Sequence, residues 1–169
     1  MIFFIEQELP HYRIPIFAAL QDGLGDDLIV CAGRPPASAN FITSNATQLP
    51  FTYLELKTLC FTGEKLYMQN WRIAFKRYGL PEIVIVRHAI RNLSLFPLLL
   101  FCKYNRIPVV VWGQGYSRNR AFNPHRNLLD RFHLAIVRLA DAYVCYTPEI
   151  LETLSQYVEQ DKLFVATNT

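Results

Sequence analysis

Acidic residues are missing from a long central stretch of this sequence. Between Ile83 and Leu129 there is no aspartate or glutamate, whereas Arg87, Arg91, Lys103, Arg106, Arg118, Arg120 and Arg126 all fall inside it. The formal net charge of only +3 hides a one-signed region, and such a region points to an anionic partner. Lys103 and Arg106 have a simpler reading, as cations solvating the end of a helix whose dipole they suit. Arg87, Arg91, Arg118 and Arg120 belong to loops that follow strands, and for them a binding patch and a solvated rim remain equally open. Paired cysteines are missing as well. Cys31, Cys60, Cys102 and Cys145 are far apart, form no CxxC and mostly sit in apolar runs, which excludes a disulfide framework and implies reduced, buried thiols of a cytoplasmic protein. Nor is there a bilayer-length apolar run: Leu93 to Cys102 covers roughly half of a span. Met1 to Ile5 has no basic leader and is followed at once by Glu6 and Glu8, so no secretory signal is read. The expected protein is soluble, or at most peripheral at the inner face of the cell membrane.

Catalytic fingerprints are equally sparse. Gly113-Gln114-Gly115 follows a strand-like run but lacks the third glycine of a dinucleotide site, and no Walker loop or GxSxG elbow occurs. His11, His88, His125 and His133 lack metal-ligand spacing, and no pair of cysteines or carboxylates joins them, so neither a metal nor a cofactor is expected. Cys102 and Cys145 lie in apolar elements, where a thiol is inert rather than nucleophilic.

What the sequence does contain is a large apolar content, 51% of 169 residues, enough for one domain with a real core. Its centre is Pro81 to Gly115. Glu82–Val86 and Val109–Trp112 are short β-branched runs that read as strands, and Leu93–Tyr104, with Pro97 near its start, reads as the helix crossing between them. Strands apolar on both faces and joined through a helix predict a parallel sheet covered on each side. Further strands are expected at Ile2–Ile5, Leu28–Cys31, Phe51–Leu56, Ala142–Cys145 and Leu163–Ala166. Helices are expected from Ile14, over Trp71–Tyr78 and Arg126–Ala140, and from Pro148 to about Tyr157, the last with Thr147 as its N-cap. On the helix from Arg126, Leu128, Phe132, Ile136 and Leu139 form the apolar face. Glu6–Arg13 and Tyr116–His125 read as loops, Lys57–Tyr67 as a loop or an edge hairpin, and Gly33–Pro50 as irregular.

In open parallel sheets ligands lie beyond the carboxyl ends of the strands, here Arg87 to Asn92 and Gly113 to Tyr116. The two glycines let the backbone turn sharply and approach a ligand. His88, between Arg87 and Arg91, either bonds a sugar hydroxyl or phosphate or is satisfied by loop backbone. His11-Tyr12-Arg13 either line the same cleft or leave Tyr12 packed on the first helix and Arg13 solvated. Trp112 reads as core. The arginines map to strand-end loops rather than to a helix with interleaved aromatics, which disfavours nucleic acid.

Three segments carry a resemblance: Leu9-Pro10-His11-Tyr12-Arg13-Ile14-Pro15-Ile16-Phe17, Pro108 through Gly115, and Arg138 through Thr147. With the ending Lys162 to Thr169, they look like the amino-terminal domain of family 4 (group 1) glycosyltransferases. The resemblance implies an α/β fold, a Rossmann-like parallel sheet with helices on both faces, as one half of a GT-B fold. It also implies retaining transfer of a sugar from a nucleotide-sugar to a glycan or lipid-linked acceptor, without a required metal. By motif, the acceptor side falls on Pro10, His11, Tyr12, Arg13, His88, Gly113, Gln114, Gly115, Tyr146 and Thr147, to which the reading of charge adds Arg87 and Arg91. No nucleophile is assigned. The sequence departs from the family after the first strand, where glycines are common, and at Gln114, where His is commoner. It lacks the spaced glutamate pair of the donor-binding domain. Residues 1–169 are therefore expected to be a single acceptor-side domain, inactive alone, whose partner is a carboxy-terminal donor domain or a separate donor subunit. The rival expectation is a non-catalytic module binding an anion or glycolipid.

Overall fold

The computed structural model describes residues 1–33, 49–62, 65–116 and 121–167. Nine strands are described: β1 (Ile2–Glu8), β2 (Leu28–Gly33), β3 (Thr52–Leu56), β4 (Thr58–Phe61), β5 (Leu66–Gln69), β6 (Ile83–Arg87), β7 (Val109–Gly113), β8 (Ala142–Cys145) and β9 (Leu163–Val165). The helices are α1 (Ile14–Leu24), α2 (Arg72–Tyr78), α3 (Leu95–Tyr104), α4 (Leu128–Leu139) and α5 (Pro148–Ser155). Seven strands make one parallel sheet in the order β3-β2-β1-β6-β7-β8-β9, and β4 and β5 pair separately as an antiparallel hairpin. Renumbered within the sheet, the order is 3-2-1-4-5-6-7, the doubly wound arrangement of Rossmann-like α/β folds. The expected fold class is the one observed. By contacts the chain divides into two compact units, Met1–Ile85 with Arg91–Ser94, and Val86–Ile90 with Leu95–Thr169.

The first unit is built on aromatic packing. Phe4 meets Phe17 edge-on at 4.9 Å, Phe17 meets Phe51 at 5.6 Å, and Phe3 meets Phe75 at 5.2 Å. Burying each such ring stabilises by about 1.5–3 kcal/mol. Every residue of β2 is buried, as expected of a strand covered on both faces.

Among the boundaries that differ from the sequence reading, two have a visible cause in polar contacts. β1 runs on through Glu8 instead of ending at Ile5, and α3 begins at Leu95 instead of Leu93. Buried Glu6 takes part in the strand and meets Arg13. Residues 91–94 are recruited by the hairpin: Leu93 donates its N–H to Tyr67 O, Tyr67 donates to Arg91 O, and Asn92 Oδ1 accepts from Ser94 N–H at 3.0 Å. Backbone groups committed to the hairpin are lost to the helix.

The second unit buries Leu98, Leu99, Cys102, Val109, Val111, Leu134, Ile136, Val137, Tyr143, Ile150 and Leu154. α4 starts at Leu128 because Asn127 caps it, accepting from Leu129 N–H at 2.9 Å and Asp130 N–H at 3.3 Å. Of the apolar face expected for it, only Ile136 is buried. Asp130, Leu134, Ile136 and Val137 are buried, while Leu128 and Phe132 are exposed. The helix is rotated because Asp130 faces inward, where its carboxylate accepts from Asn123 N–H at 2.9 Å. A polar residue with a local partner takes a position that the apolar period assigns elsewhere.

Candidate functional site

Gly113 closes β7 and His88 follows β6, so both stand at carboxyl ends of strands, the address of ligands in open parallel sheets. His88 donates its backbone N–H to Trp112 O at 2.7 Å. A Cβ on Gly113, whose φ is +155°, would lie 2.8 Å from His88 Cβ, so only glycine lets the histidine sit there. Gly115, at φ +71°, is less crowded, with 3.1 Å from an added Cβ to Leu154 Cδ1. The close approaches that the glycines permit are filled by the protein's own side chains.

The ring of His88 is held at both nitrogens. Its Nδ1 lies 2.8 Å from the Tyr143 hydroxyl and its Nε2 lies 2.8 Å from Nδ1 of His133 on α4. The direction of these bonds follows from counting donors. Tyr143 is fully buried, and the partner of its hydroxyl is His88 Nδ1. The phenol proton then needs an acceptor, and His88 Nδ1 is in reach. That leaves the His88 proton on Nε2, from which it is donated to His133 Nδ1, and His133 carries its own proton on Nε2. The result is one polar line, from Tyr143 through His88 to His133. Burial, and after it the neighbouring His133, pushes the pKa of His88 down to about 3, and burial raises that of Tyr143 well above the phenol range. Both stay neutral at ordinary pH.

His88 is thus satisfied by two side chains, a third arrangement beside the ligand bond and the loop-backbone bond expected for it. Around it, Tyr146 follows β8 and packs its ring edge-on against partly buried Trp112 at 5.5 Å. Thr147 holds the N-cap position of α5 without a side-chain cap bond, and its Oγ1 is shielded without a hydrogen-bond partner. Gln114 is exposed and Arg87 is partly buried. His88, Gly113, Gly115 and Tyr146 are therefore brought together in the second unit, with Tyr143 and His133 as members that sequence reasoning missed. No motif marks the pairing of His88 with residues 45 and 55 positions away. The available signals are a tyrosine inside a buried strand and a histidine near the apolar stripe of a helix.

Pro10 to Arg13 belong to the first unit. Pro10 is buried, and His11 and Tyr12 are exposed with their rings 5.9 Å apart, so Tyr12 is not packed beneath α1. Arg13 is neither a cleft cation nor solvated. It is buried, and its Nη1 meets Glu6 Oε1 at 2.6 Å. Next to this pair, Gln69 Nε2 donates to Glu6 O at 2.9 Å and Gln7 O at 3.0 Å, and Asn92 Nδ2 donates to Gln69 Oε1 at 3.2 Å. Arg91 is exposed. Arg118 and Arg120 lie outside the described residues.

Cys31, Cys102 and Cys145 are buried, and burial pushes the first two thiols up to about 12 and the third to about 11, which keeps them protonated and unreactive. Cys60 is exposed on the hairpin, contrary to the expectation of four buried thiols. Among the described residues, no group of three or more His, Cys, Asp or Glu side chains could hold a metal ion, and no helix is long and apolar enough to cross a membrane.

No protein-family model matches the chain, and no curated protein matches it in sequence. Solved structures match it in fold. UDP-GlcNAc 2-epimerase from Neisseria meningitidis, bound to UDP-GlcNAc, superposes with a TM-score of 0.58 at 16% identity, over 100% of this chain and 46% of its own. A putative UDP-N-acetylglucosamine 2-epimerase from Listeria monocytogenes gives 0.57 at 14% identity, over 96% of this chain and 44% of its own. S. aureus MnaA in its UDP co-structure gives 0.53 at 17%, over 97% and 42%. The chain spans about half the length of these neighbours, and it shares with them a Rossmann-like fold of the GT-B-like kind.

Proposed function

We propose that the chain is the acceptor-side half of a nucleotide-sugar enzyme. In its finer form, it belongs to a retaining family 4 glycosyltransferase that moves a sugar from a nucleotide-sugar to a glycan or lipid-linked acceptor. The observation that carries the coarser reading is the superposition of essentially the whole chain on about half of proteins solved with UDP-GlcNAc or UDP. The sequence motifs at Pro10–Arg13, Pro108–Gly115 and Arg138–Thr147 favour transfer. In this reading the loops after β6, β7 and β8 face the acceptor. His88, held neutral, keeps the Gly113–Gly115 turn in place, and exposed Gln114 offers an amide to sugar hydroxyls. The donor is held chiefly by a second domain or subunit, and closure of the two orients the sugars and excludes water. A second reading, half of a nucleotide-sugar epimerase, is favoured by the structural neighbours, which include UDP-GlcNAc 2-epimerase.

Ligand-observed NMR with the 169-residue chain tests the assignment, using UDP, UDP-GlcNAc and phosphorylated or lipid-linked sugars, alongside assays for transfer and for epimerisation. The expected result is contact with the acceptor-type sugars, little with nucleotide, and no turnover. Tight UDP binding by this chain would overturn the acceptor-side assignment. Donor-dependent glycosylation by it would overturn the claim that it is inactive alone, and epimerisation would select the second reading.

A further inference from the structure

Helix α3, Leu95-Phe-Pro-Leu-Leu-Leu-Phe-Cys-Lys-Tyr104, carries a single charge, Lys103, and is apolar nearly all round. Such a helix belongs inside a core or a membrane, yet only part of it is covered. Leu95, Leu98, Leu99 and Cys102 are buried, while Pro97, Leu100 and Tyr104, spaced three and four residues apart on one face, are exposed, the last two by 56% and 87%. The first turns of α4 continue the exposed apolar surface with Leu128, Leu129 and Phe132, exposed by 65%, 55% and 45%. The two helices are joined there by the Phe96 and Phe132 rings, 6.1 Å apart and edge-on. Contiguous apolar surface of this kind marks an interaction site.

The charges around it select the occupant. Lys103, Arg126 and Arg131 are exposed on these two helices and the turn before α4. The one acid among them, Asp130, is buried and engaged with Asn123. No acid occurs from Ile83 to Leu129. We propose that the outer face of α3 and the first turns of α4 form a membrane-docking surface, apolar at the centre and cationic at the rim, for a bilayer with anionic headgroups. Tyr104, with an apolar ring and a polar tip, suits the headgroup level, and the cations suit anionic lipid. A second copy of the chain fits poorly, because it would bring cations against cations. Attachment of this kind is independent of the nucleotide-sugar reading and is measured without any sugar present.

The test is co-sedimentation of the chain with vesicles of neutral phosphatidylcholine, and with vesicles containing about one third phosphatidylglycerol. Binding is expected to the anionic vesicles only, weakened at high salt as the Debye length shrinks. Leu100→Glu and Phe132→Glu should each lower the partition coefficient roughly tenfold or more by placing charge in the apolar centre. Lys103→Glu and Arg131→Glu should each lower it at least fivefold, the equivalent of about 1 kcal/mol for a cation near an anionic surface. All four side chains are exposed, and circular dichroism checks that each variant folds; the rim pair keeps the test decisive if a central variant does not. Absence of binding, equal binding to neutral vesicles, or binding unchanged in all four variants would overturn the proposal. So would a dimer without vesicles that Leu100→Glu dissociates, since the face would then be a self-association surface.

Discussion

The two units each hold a buried polar cluster, and the clusters differ in kind. In the first, Glu6 and Arg13 form an ion pair away from solvent, braced by Gln69 and Asn92. In the second, Tyr143, His88 and His133 form a hydrogen-bonded line that ends on a partly exposed helix residue. A closed charged knot fixes chain geometry: Glu6 ties strand β1 to the turn at Arg13, and Gln69 ties the hairpin to β1. A hydrogen-bonded line that reaches the surface instead holds the loop at His88 in place. The lesson is that burial of charge here serves architecture, whereas the candidate site is centred on His88 and Tyr143, two groups that burial keeps uncharged.

The comparison breaks most visibly at Glu6. Glu6→Ala leaves the Arg13 guanidinium buried without its carboxylate, and thermal or urea unfolding should show a loss of about 3–5 kcal/mol. The double variant Glu6→Leu/Arg13→Met, which removes both charges, should recover most of it. A single variant as stable as the wild type would mean that the pair holds nothing together.

A smaller effect is expected at the glycine turn. Gly113→Ala forces a Cβ against His88 at a backbone angle that L-residues rarely adopt, at a cost of about 2–3 kcal/mol. The Nε2 tautomer of both histidines, read by nitrogen-15 shifts, should be disturbed with it. Stability loss with both tautomers intact would separate the turn from the hydrogen-bonded line.

The smallest effect concerns pH. The folded pKa of His88 is depressed to about 3, so below its ordinary value near 6.5 the unfolded chain binds a proton that the folded chain refuses. The stability contributed by neutral His88 is present above pH 6.5 and is lost as pH falls from about 6.5 toward 3. Because the ring is partly exposed, about 1–2 kcal/mol is expected, less than the full shift would imply. Unfolding free energies of wild type and His88→Gln, compared across that range, should converge as pH drops. Parallel curves would show that His88 does not titrate with folding.

Much of the architecture was legible beforehand because it depends on short-range pattern. β-branched runs such as Val109–Trp112 and Ala142–Cys145 mark strands wherever they occur, the apolar stretch ending at Tyr104 marks a crossover helix, and Pro148 after Thr147 marks a helix start. The candidate site was legible only as an address. His88 and the Gly113–Gly115 turn were located, but the partners of His88 were not, since hydrogen bonds between residues 45 and 55 positions apart leave no periodic trace. Arg13 was misread for the same reason: nothing local says that a cation after a strand will turn inward to a glutamate seven residues earlier.

The order of strands and helices, the parallel sheet and the exclusion of a disulfide framework are thus properties of the linear sequence, set by side-chain volume, branching and spacing along a few residues. The rotation of α4 that buries Asp130, the enclosure of the Glu6–Arg13 pair and the direction of the Tyr143–His88–His133 line belong to the tertiary structure. Each depends on which distant donors and acceptors burial brings within 3 Å or so of one another, and in a dry interior those partners decide both where a polar side chain points and whether it carries charge.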